Sequence, residues 1–394
     1  MKFINWKQRI FSFCCLAFGV YILNSSVFSD TAPAAQAIQI SSEKITKSDS
    51  LKILAVGDFV HPDNFESSEI INNLGKSKYE YIRPIIRNAD IAFINLESPF
   101  TDQKPFIKKK YAFVSDPAEL EHILWAGFNM FSLANNHMYD AGLEGIRDTL
   151  NHLSEKTSKL NLRRPYVWAG AGLTEKEAAV PAEMIVKNDY KITFFAYGNN
   201  NTIHNNIFEA NKAAKQIGEI KKTKGNNLII VSIHDGEEYT HHPKKKYRNA
   251  YRKVIDAGAD IIFAHHPHVV QGIERYKHGI IFYSLGNFSM GTLHPEDYTE
   301  YLFSIAAVIN CELSDKVTPL SVEILPLYVD NKKPMTMADK EFELRQFVPI
   351  VPNEPFATKL LKKVIDRSEK IKGNKTVFKI ENSRIKIDLM EPLP

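Results

Sequence analysis

The feature that most restricts how this 394-residue chain can fold is a series of short apolar runs, each closing on a side chain able to bind a metal. The run LAVG ends at Asp58, AFINL at Glu97 and FSLA at Asn135-Asn136-His137. Farther on, IIVSI ends at His234 and IIFA at His265-His266-Pro267-His268. Apolar runs of this length bounded by turn residues are strands, and they fall at Leu51–Gly57, Ile91–Leu96, Met130–Ala134, Ile192–Tyr197, Leu228–Ile233 and Ile261–Ala264. Helical segments lie between them. Asp116-Pro117 supplies an N-cap and a first-turn proline for a helix carrying Leu120, Ile123 and Leu124. Leu143, Ile146, Leu150 and Leu153 share one helical face, as do Tyr247, Ala250, Tyr251, Val254 and Ile255. Strands alternating with helices predict an α/β layered fold. After Gln271 the chain turns strand-rich (IIFYSLGNF, YLFSIAAVI, VEILPLYV), then offers a helix near Ala357–Ile371 and two short strands.

One Asp or His at a strand end is ordinarily a cap or a turn. Five strands that deliver carboxylate, amide or imidazole groups at the same end are hard to read as turns. In an open α/β sheet those ends line one edge, where loops build ligand sites. This mixture of donors suits a pair of divalent ions such as Mn, Fe or Zn, and the lack of thiolates argues against a structural zinc.

Composition narrows the class. An apolar fraction of 44% and a charged fraction of 24% are those of a globular protein with a normal core. A net charge of +4 without a dominant basic stripe gives no support to nucleic-acid binding. Three cysteines, two of them adjacent at Cys14 and Cys15, cannot form a disulfide framework. The N-terminus carries Lys2, Lys7 and Arg9, then the apolar run IFSFCCLAFGVYIL, then the small-residue patterns Val27-Phe28-Ser29 and Ala35-Gln36-Ala37. This is the layout of an export signal, read either as a cleaved peptide or as an uncleaved anchor. Four regions are expected: a signal peptide or membrane anchor over 1–37, a polar linker over 38–50, the α/β domain over 51–330, and a C-terminal helix-strand extension over 331–394. The domain is expected outside the cytoplasm, facing outward on the cytoplasmic membrane if anchored and periplasmic or secreted if cleaved.

The strings GDFVH, NLESP, LANNHMYDAG, SIHDGEEY, FAHHPHVVQG and YSLGNF run in order from Leu51 to Gly291. Together they resemble the motif series of the CapA family, which serves bacterial capsule synthesis, notably that of poly-γ-glutamate. The resemblance implies a calcineurin-like metallophosphoesterase fold, a four-layer sandwich of two mixed β-sheets flanked by helices. It also implies work at the membrane beside the subunits of a capsule polymer synthase and exporter. By the same resemblance Asp58, Glu97, Asn136, His234, His266 and His268 match the metal-holding positions, and His137 matches the His that contacts substrate. Glu97 stands where the wider superfamily usually has a metal-bridging Asp, a feature shared by CapA relatives. Ala264 and Asp235 replace a Gly and an aromatic residue common in related motifs.

Other residues keep two readings. Asp140 either orients the His137 imidazole or caps a helix, and Glu237 and Glu238 are acid–base candidates or surface glutamates. Asn287 either lines the site or sits in a buried turn, and His265 is packed behind the ligands rather than among them. Lys244, Lys245 and Lys246 open a helix, where cations oppose the macrodipole at about 0.3–1 kcal/mol each. An anionic polymer held near the metal edge would account for them, as would a solvated lysine run; Lys108-Lys109-Lys110 is a second such run. Two functions fit: an accessory protein of capsule assembly, or a metal-dependent hydrolase acting on a phosphoester or a polymer amide. The export reading is checked directly. A reporter active only outside the cytoplasm, fused after Ser50, should be active, and a stable but silent fusion would refute it.

Overall fold

The computed structural model describes residues 50–64, 68–105, 107–160, 164–187, 189–199, 202, 204–224, 228–291, 302–330 and 347–393. The expected signal or anchor over 1–37, and all of the expected linker except Ser50, lie outside these residues. Among the described residues no helix is long and apolar enough to cross a membrane.

In chain order the first strands are β1 (Ser50–Val60), β2 (Ile91–Leu96), β3 (Met130–Ser132), β4 (Val167–Ala169) and β5 (Ala182–Val186). They are followed by β6 (Tyr190–Gly198), β7 (Leu228–His234), β8 (Ile261–His265), β9 (Ile273–Tyr276) and β10 (Gly279–Phe282). The last are β11 (Asn287–Met290), β12 (Phe303–Leu313), β13 (Val317–Tyr328), β14 (Lys379–Glu381) and β15 (Arg384–Asp388). The helices are α1 (Ser68–Leu74), α2 (Arg83–Arg87), α3 (Glu119–Ala126), α4 (Gly142–Ser158), α5 (Glu175–Ala178), α6 (Ala210–Lys224), α7 (Lys245–Asp256) and α8 (Phe356–Glu369).

The larger sheet has the order β14-β15-β13-β12-β1-β2-β3-β4, with β11 also paired to β1. Its β1 to β4 half is parallel and its β12 to β15 half antiparallel. The smaller sheet runs β5-β6-β7-β8-β10-β9, parallel from β6 to β10 and antiparallel at both margins. Both sheets are therefore mixed.

Alternate residues of the central strands point into different cores. Ile53 of β1 and Phe93 of β2 meet Phe194, Ile230 and Phe263 of the smaller sheet in a core between the sheets. Leu54, Val56 and Ile94 pack outward with Ile123, Ile146, Leu150 and Leu153 of α3 and α4. On the far side Val231 and Ile262 pack with Ile217, Tyr251, Val254 and Ile255 of α6 and α7. Helices, sheet, sheet, helices: the four-layer sandwich is the arrangement that buries both faces of both sheets. It also explains why β2 is apolar but for Asn95, since a parallel strand covered on both faces has no solvent side.

The C-terminal segment is built into this body. Leu360, Leu361 and Val364 of α8 enter the core between the sheets, and β15 pairs with β13. Helix α3 starts at Glu119, later than Pro117, because the Asp116 carboxylate accepts the Ala118 N–H and caps a preceding turn. The helix ends on Gly127, whose left-handed backbone (φ 116°) returns its N–H to the carbonyls of Ile123 and Leu124.

Strand β1 changes partners where the chemistry begins. Ser50 to Ala55 pair with β12, and from Asp58 onward β11 takes over in parallel register. At the handover Asp58 N–H donates to the Gly286 carbonyl at 2.9 Å. A Cβ on Gly57 would run into that same carbonyl oxygen, and Gly286 itself needs a φ of +76°. Just beyond, His61 is tied to Ser289 of β11, and the buried Lys78 and Tyr79 both bond Glu119 of α3, which lies 3.8 Å from His61. This polar cluster fixes the outgoing end of β1 against the helical layer. Gly57→Ala should destabilise the chain by about 1–3 kcal/mol. An unchanged denaturation midpoint would contradict so close an approach.

Candidate metal centre

The five strands with chemistry at their ends divide between the two sheets, which corrects the expectation of a single sheet edge. Asp58 comes from β1, Glu97 follows β2 and Asn136 follows β3, all in the larger sheet. His234 ends β7 and His265 ends β8 in the smaller sheet, with His266 and His268 in the turn after it. Strand periodicity gives the side of a residue within its own sheet, not which sheet holds the strand. The turn carries real backbone strain: His266 has φ 92° and His268 φ 58°, a region that side chains with a Cβ seldom occupy. Strain of this kind persists only where surrounding structure imposes it, and it is concentrated at ligand sites.

These residues come together around Glu97. One donor atom from each of Glu97, His266 and His268 lies within 4.8 Å of the others, and the same holds for Asp58, Glu97 and His234. Glu97 is common to both groups. His234 Nε2 is 3.3 Å from Glu97 Oε1 and 2.7 Å from Asn136 Oδ1. His268 Nε2 is 3.7 Å from Glu97 Oε1, and its Nδ1 is 3.5 Å from Asp58 Oδ2. Of the sequence-derived ligand positions, Asp58, Glu97, His234, His266 and His268 thus share one buried cluster, with the half-buried Asn136 against His234 at its edge.

Surrounding groups orient them. His268 Nδ1 donates to Asn287 Oδ1 at 2.9 Å, which leaves its Nε2 lone pair for a metal. Asn95, which the sequence reading passed over, donates from Nδ2 to Asp58 Oδ1 at 2.9 Å and lies 3.2 Å from His234 Nδ1. Its one outward sign is an amide inside the otherwise apolar run AFINL. His265 Nδ1 lies 3.0 Å from Asp58 Oδ1, behind the cluster. Asp58 Oδ2 also accepts the His266 N–H at 3.3 Å.

Of the two carboxylates in the cluster, Glu97 is left out of this satisfaction. It is fully buried, and neither carboxylate oxygen has a hydrogen-bond partner; the buried Nδ1 of His266 has none either. Leaving a buried charged group so exposed to desolvation costs several kcal/mol, and nearly all buried polar groups avoid it. Divalent ions between Glu97 and its imidazole and carboxylate neighbours would satisfy both oxygens, so the residues present fit such ions.

The electrostatics agree. Burial first, and then the nearby Asp58 charge, hold Glu97 well above the usual carboxylate range. Burial would also raise Asp58, but its hydrogen bond to His265 and the charges of His265, His234 and His268 outweigh it and hold it low. Burial lowers His234 to about 3 and His266 to about 2, so both rings are neutral at pH 7 with lone pairs to donate. Burial opposes charge on His268 too, but Glu97 and Asp58 raise it.

His137 stands beside the cluster. Its Nδ1 donates to Asp140 Oδ2 at 2.7 Å, Phe113 lies against it at 4.3 Å between ring centroids, and burial lowers it to about 4 despite Asp140. Asp140 also accepts the Phe113 N–H at 2.8 Å. The two lysine runs separate. Lys244 pairs with Glu237 at 2.5 Å and Lys246 lies over the Tyr247 ring, while Lys245 is exposed at the start of α7. The contacts of this run are with its own loop and helix. Lys109, from the other run, reaches Asp140 at 2.5 Å and the Asn136 carbonyl at 3.0 Å. Glu238 faces the cluster electrostatically, its charge raising both Glu97 and His268.

Residues 52–292 match the family model described as bacterial capsule synthesis protein PGA_cap. The chain is 30% identical to the capsule biosynthesis protein CapA of Bacillus anthracis, over 77% of this chain and 74% of that protein. It is also 30% identical to the PGA biosynthesis protein CapA of Bacillus subtilis, over 54% of this chain and 56% of the relative. Among solved structures, a 5'-nucleotidase precursor from Thermus thermophilus aligns over 80% of this chain and 58% of its own at 13% identity and a TM-score of 0.40, too distant a likeness to inform the site. The chain belongs to the PGA_cap family of bacterial capsule synthesis proteins, and the matched region contains every residue of the cluster.

Elemental analysis of the chain, expressed without a histidine tag, should find roughly two divalent ions, Mn, Fe or Zn, per molecule. Replacing His266 and His268 by Ala should empty at least one position. A wild-type chain that stays metal-free after refolding with each ion in turn would overturn the assignment.

Proposed function

We propose that this chain is an accessory protein of capsule polymer assembly that holds divalent metal where the edges of its two sheets meet, on the outer side of the cytoplasmic membrane. The observation that carries the reading is a coincidence of extent: the family match over 52–292 and the buried cluster from Asp58 to Asn287 cover the same stretch of chain. The relatives described as capsule and PGA biosynthesis proteins supply the process. The basic and apolar N-terminal layout supplies the compartment, with 1–37 as signal or anchor and 38–50 as linker. Partners on this reading are the membrane subunits of a polymer synthase and exporter, and the anionic polymer itself; nucleic acid is not among them.

A bound divalent ion would supply an electrophile for an anionic oxygen or acidify a water molecule. The chain's own residues do the rest. Asp58, Glu97, Asn136, His234, His266 and His268 present donors from two sheets, and Asn95, His265 and Asn287 hold three of them in place. His137 is neutral at pH 7, and its bond to Asp140 fixes Nδ1 as the protonated nitrogen, leaving Nε2 to accept or return a proton.

That His137–Asp140 pair favours a second reading, a hydrolase that trims or releases polymer. Capsule yield and chain length in strains carrying each variant at equal expression separate the two. On the accessory reading His137→Ala, with metals retained, makes normal polymer, whereas removing the N-terminal segment or truncating Lys244–Lys246 does not. Loss of general acid–base catalysis is worth roughly 10²–10⁴-fold in rate. Polymer abolished or changed in length by His137→Ala, and less severely by Asp140→Asn, would therefore replace the accessory role with the hydrolase.

A further inference from the structure

The loop between β2 and α3 folds back onto one residue. Ile107 N–H donates to the Asp140 carbonyl at 3.2 Å, Phe113 N–H donates to Asp140 Oδ2 at 2.8 Å, and the Lys109 ammonium pairs with Asp140 Oδ1 at 2.5 Å. The same ammonium donates to the main-chain carbonyl of Asn136 at 3.0 Å. Lys109 is thereby pinned between the partner of His137 and a member of the metal cluster. Its side chain keeps 30% of its accessibility, whereas Asp140 is fully buried. An ammonium has three donors; one goes to the Asn136 carbonyl, and the contact with Asp140 Oδ1 is an ion pair without a hydrogen bond. The Lys109 charge reaches inward as well, acting on Glu97 and on His137.

We propose that Lys109 is an anion-binding residue of this site: its ammonium holds a phosphoryl or carboxylate group of a ligand that docks at the metal edge. The proposal rests on the metal reading above and adds the charge of what the site takes. With divalent ions opposite Asp58 and Glu97, the mouth of the cluster is net positive, and Lys109 is a fixed cation on that mouth. Lys108 and Lys110, both exposed, flank it in sequence. Neutralising Asp140 is the competing role for this lysine, and it makes a different prediction. If that were all, removing the Asp140 charge would make the lysine dispensable.

The full chain, purified in mild detergent and loaded with Mn, is titrated calorimetrically with inorganic phosphate and with glutarate, and its metal content is measured alongside. A charge-assisted hydrogen bond of ordinary strength predicts that Lys109→Met weakens the anion that binds by about 10- to 100-fold. Metal content should be unchanged, and Lys109→Arg should bind within a few-fold of wild type. The double variant Lys109→Met with Asp140→Asn should stay weak. The preference between phosphate and glutarate identifies the group as phosphoryl or carboxylate. Wild-type affinity in Lys109→Met, recovery in the double variant, loss of metal together with the anion, or a wild-type chain that binds neither probe would each overturn the proposal. If the wild type holds no metal yet binds an anion through Lys109, the metal reading fails and this one stands.

Discussion

Two carboxylates buried side by side, Asp58 and Glu97, set the terms for everything around them. Neighbouring parallel strands bring them to the same level, because Asp58 of β1 stands opposite Asn95, two residues before Glu97. Left alone, a pair of this kind costs both desolvation and mutual repulsion. The fold compensates Asp58 fully, with Asn95, His265 and the His266 amide, and compensates Glu97 hardly at all. The asymmetry is informative. A carboxylate that existed for stability would have been given donors, whereas one that would hold a cation has to keep its oxygens free of them.

The four-layer architecture is what makes this placement possible. Parallel strands carry their C-terminal ends to one side, and covering both faces leaves the strand ends as the remaining place for polar groups. Stacking a second sheet on the first then sets imidazoles from β7 and β8 opposite carboxylates from β1 and β2. The exchange of β12 for β11 along β1 opens the larger sheet at Asp58, and Gly57 and Gly286 allow it by letting two backbones touch. The same exchange brings Asn287 within reach of His268.

Much of this was legible in the sequence, for a physical reason. Strands buried on both faces are written as nearly continuous apolar runs, so their ends are easy to find, and the residues there are Asp58, Glu97, His234 and His266. The family resemblance supplied the two-sheet arrangement that the runs alone did not. Other features left weaker traces. β4 is a three-residue strand and β5 a short antiparallel margin, and neither has the length to register as a run. Asn95 is concealed because one amide in an apolar strand looks like an interruption. Lys109 sits in a lysine triplet whose members are equivalent on paper, and only the fold of the loop onto Asp140 distinguishes the middle one. The triplet Lys244–Lys246, which drew more notice, keeps to its own loop.

The spread of the cluster along the chain has a kinetic meaning. Its members run from Asp58 to Asn287, and the strands that hold them are joined by long connections rather than tight hairpins. Contacts between distant segments form slowly, since chain closure must be met before they give any return. The two carboxylates lie in the first part of the domain to be synthesised and the histidines in a later part. A divalent ion held by donors of both sheets would therefore be captured late, once the two sheets have docked. A chain exported unfolded would select its ions from those present on the far side of the membrane.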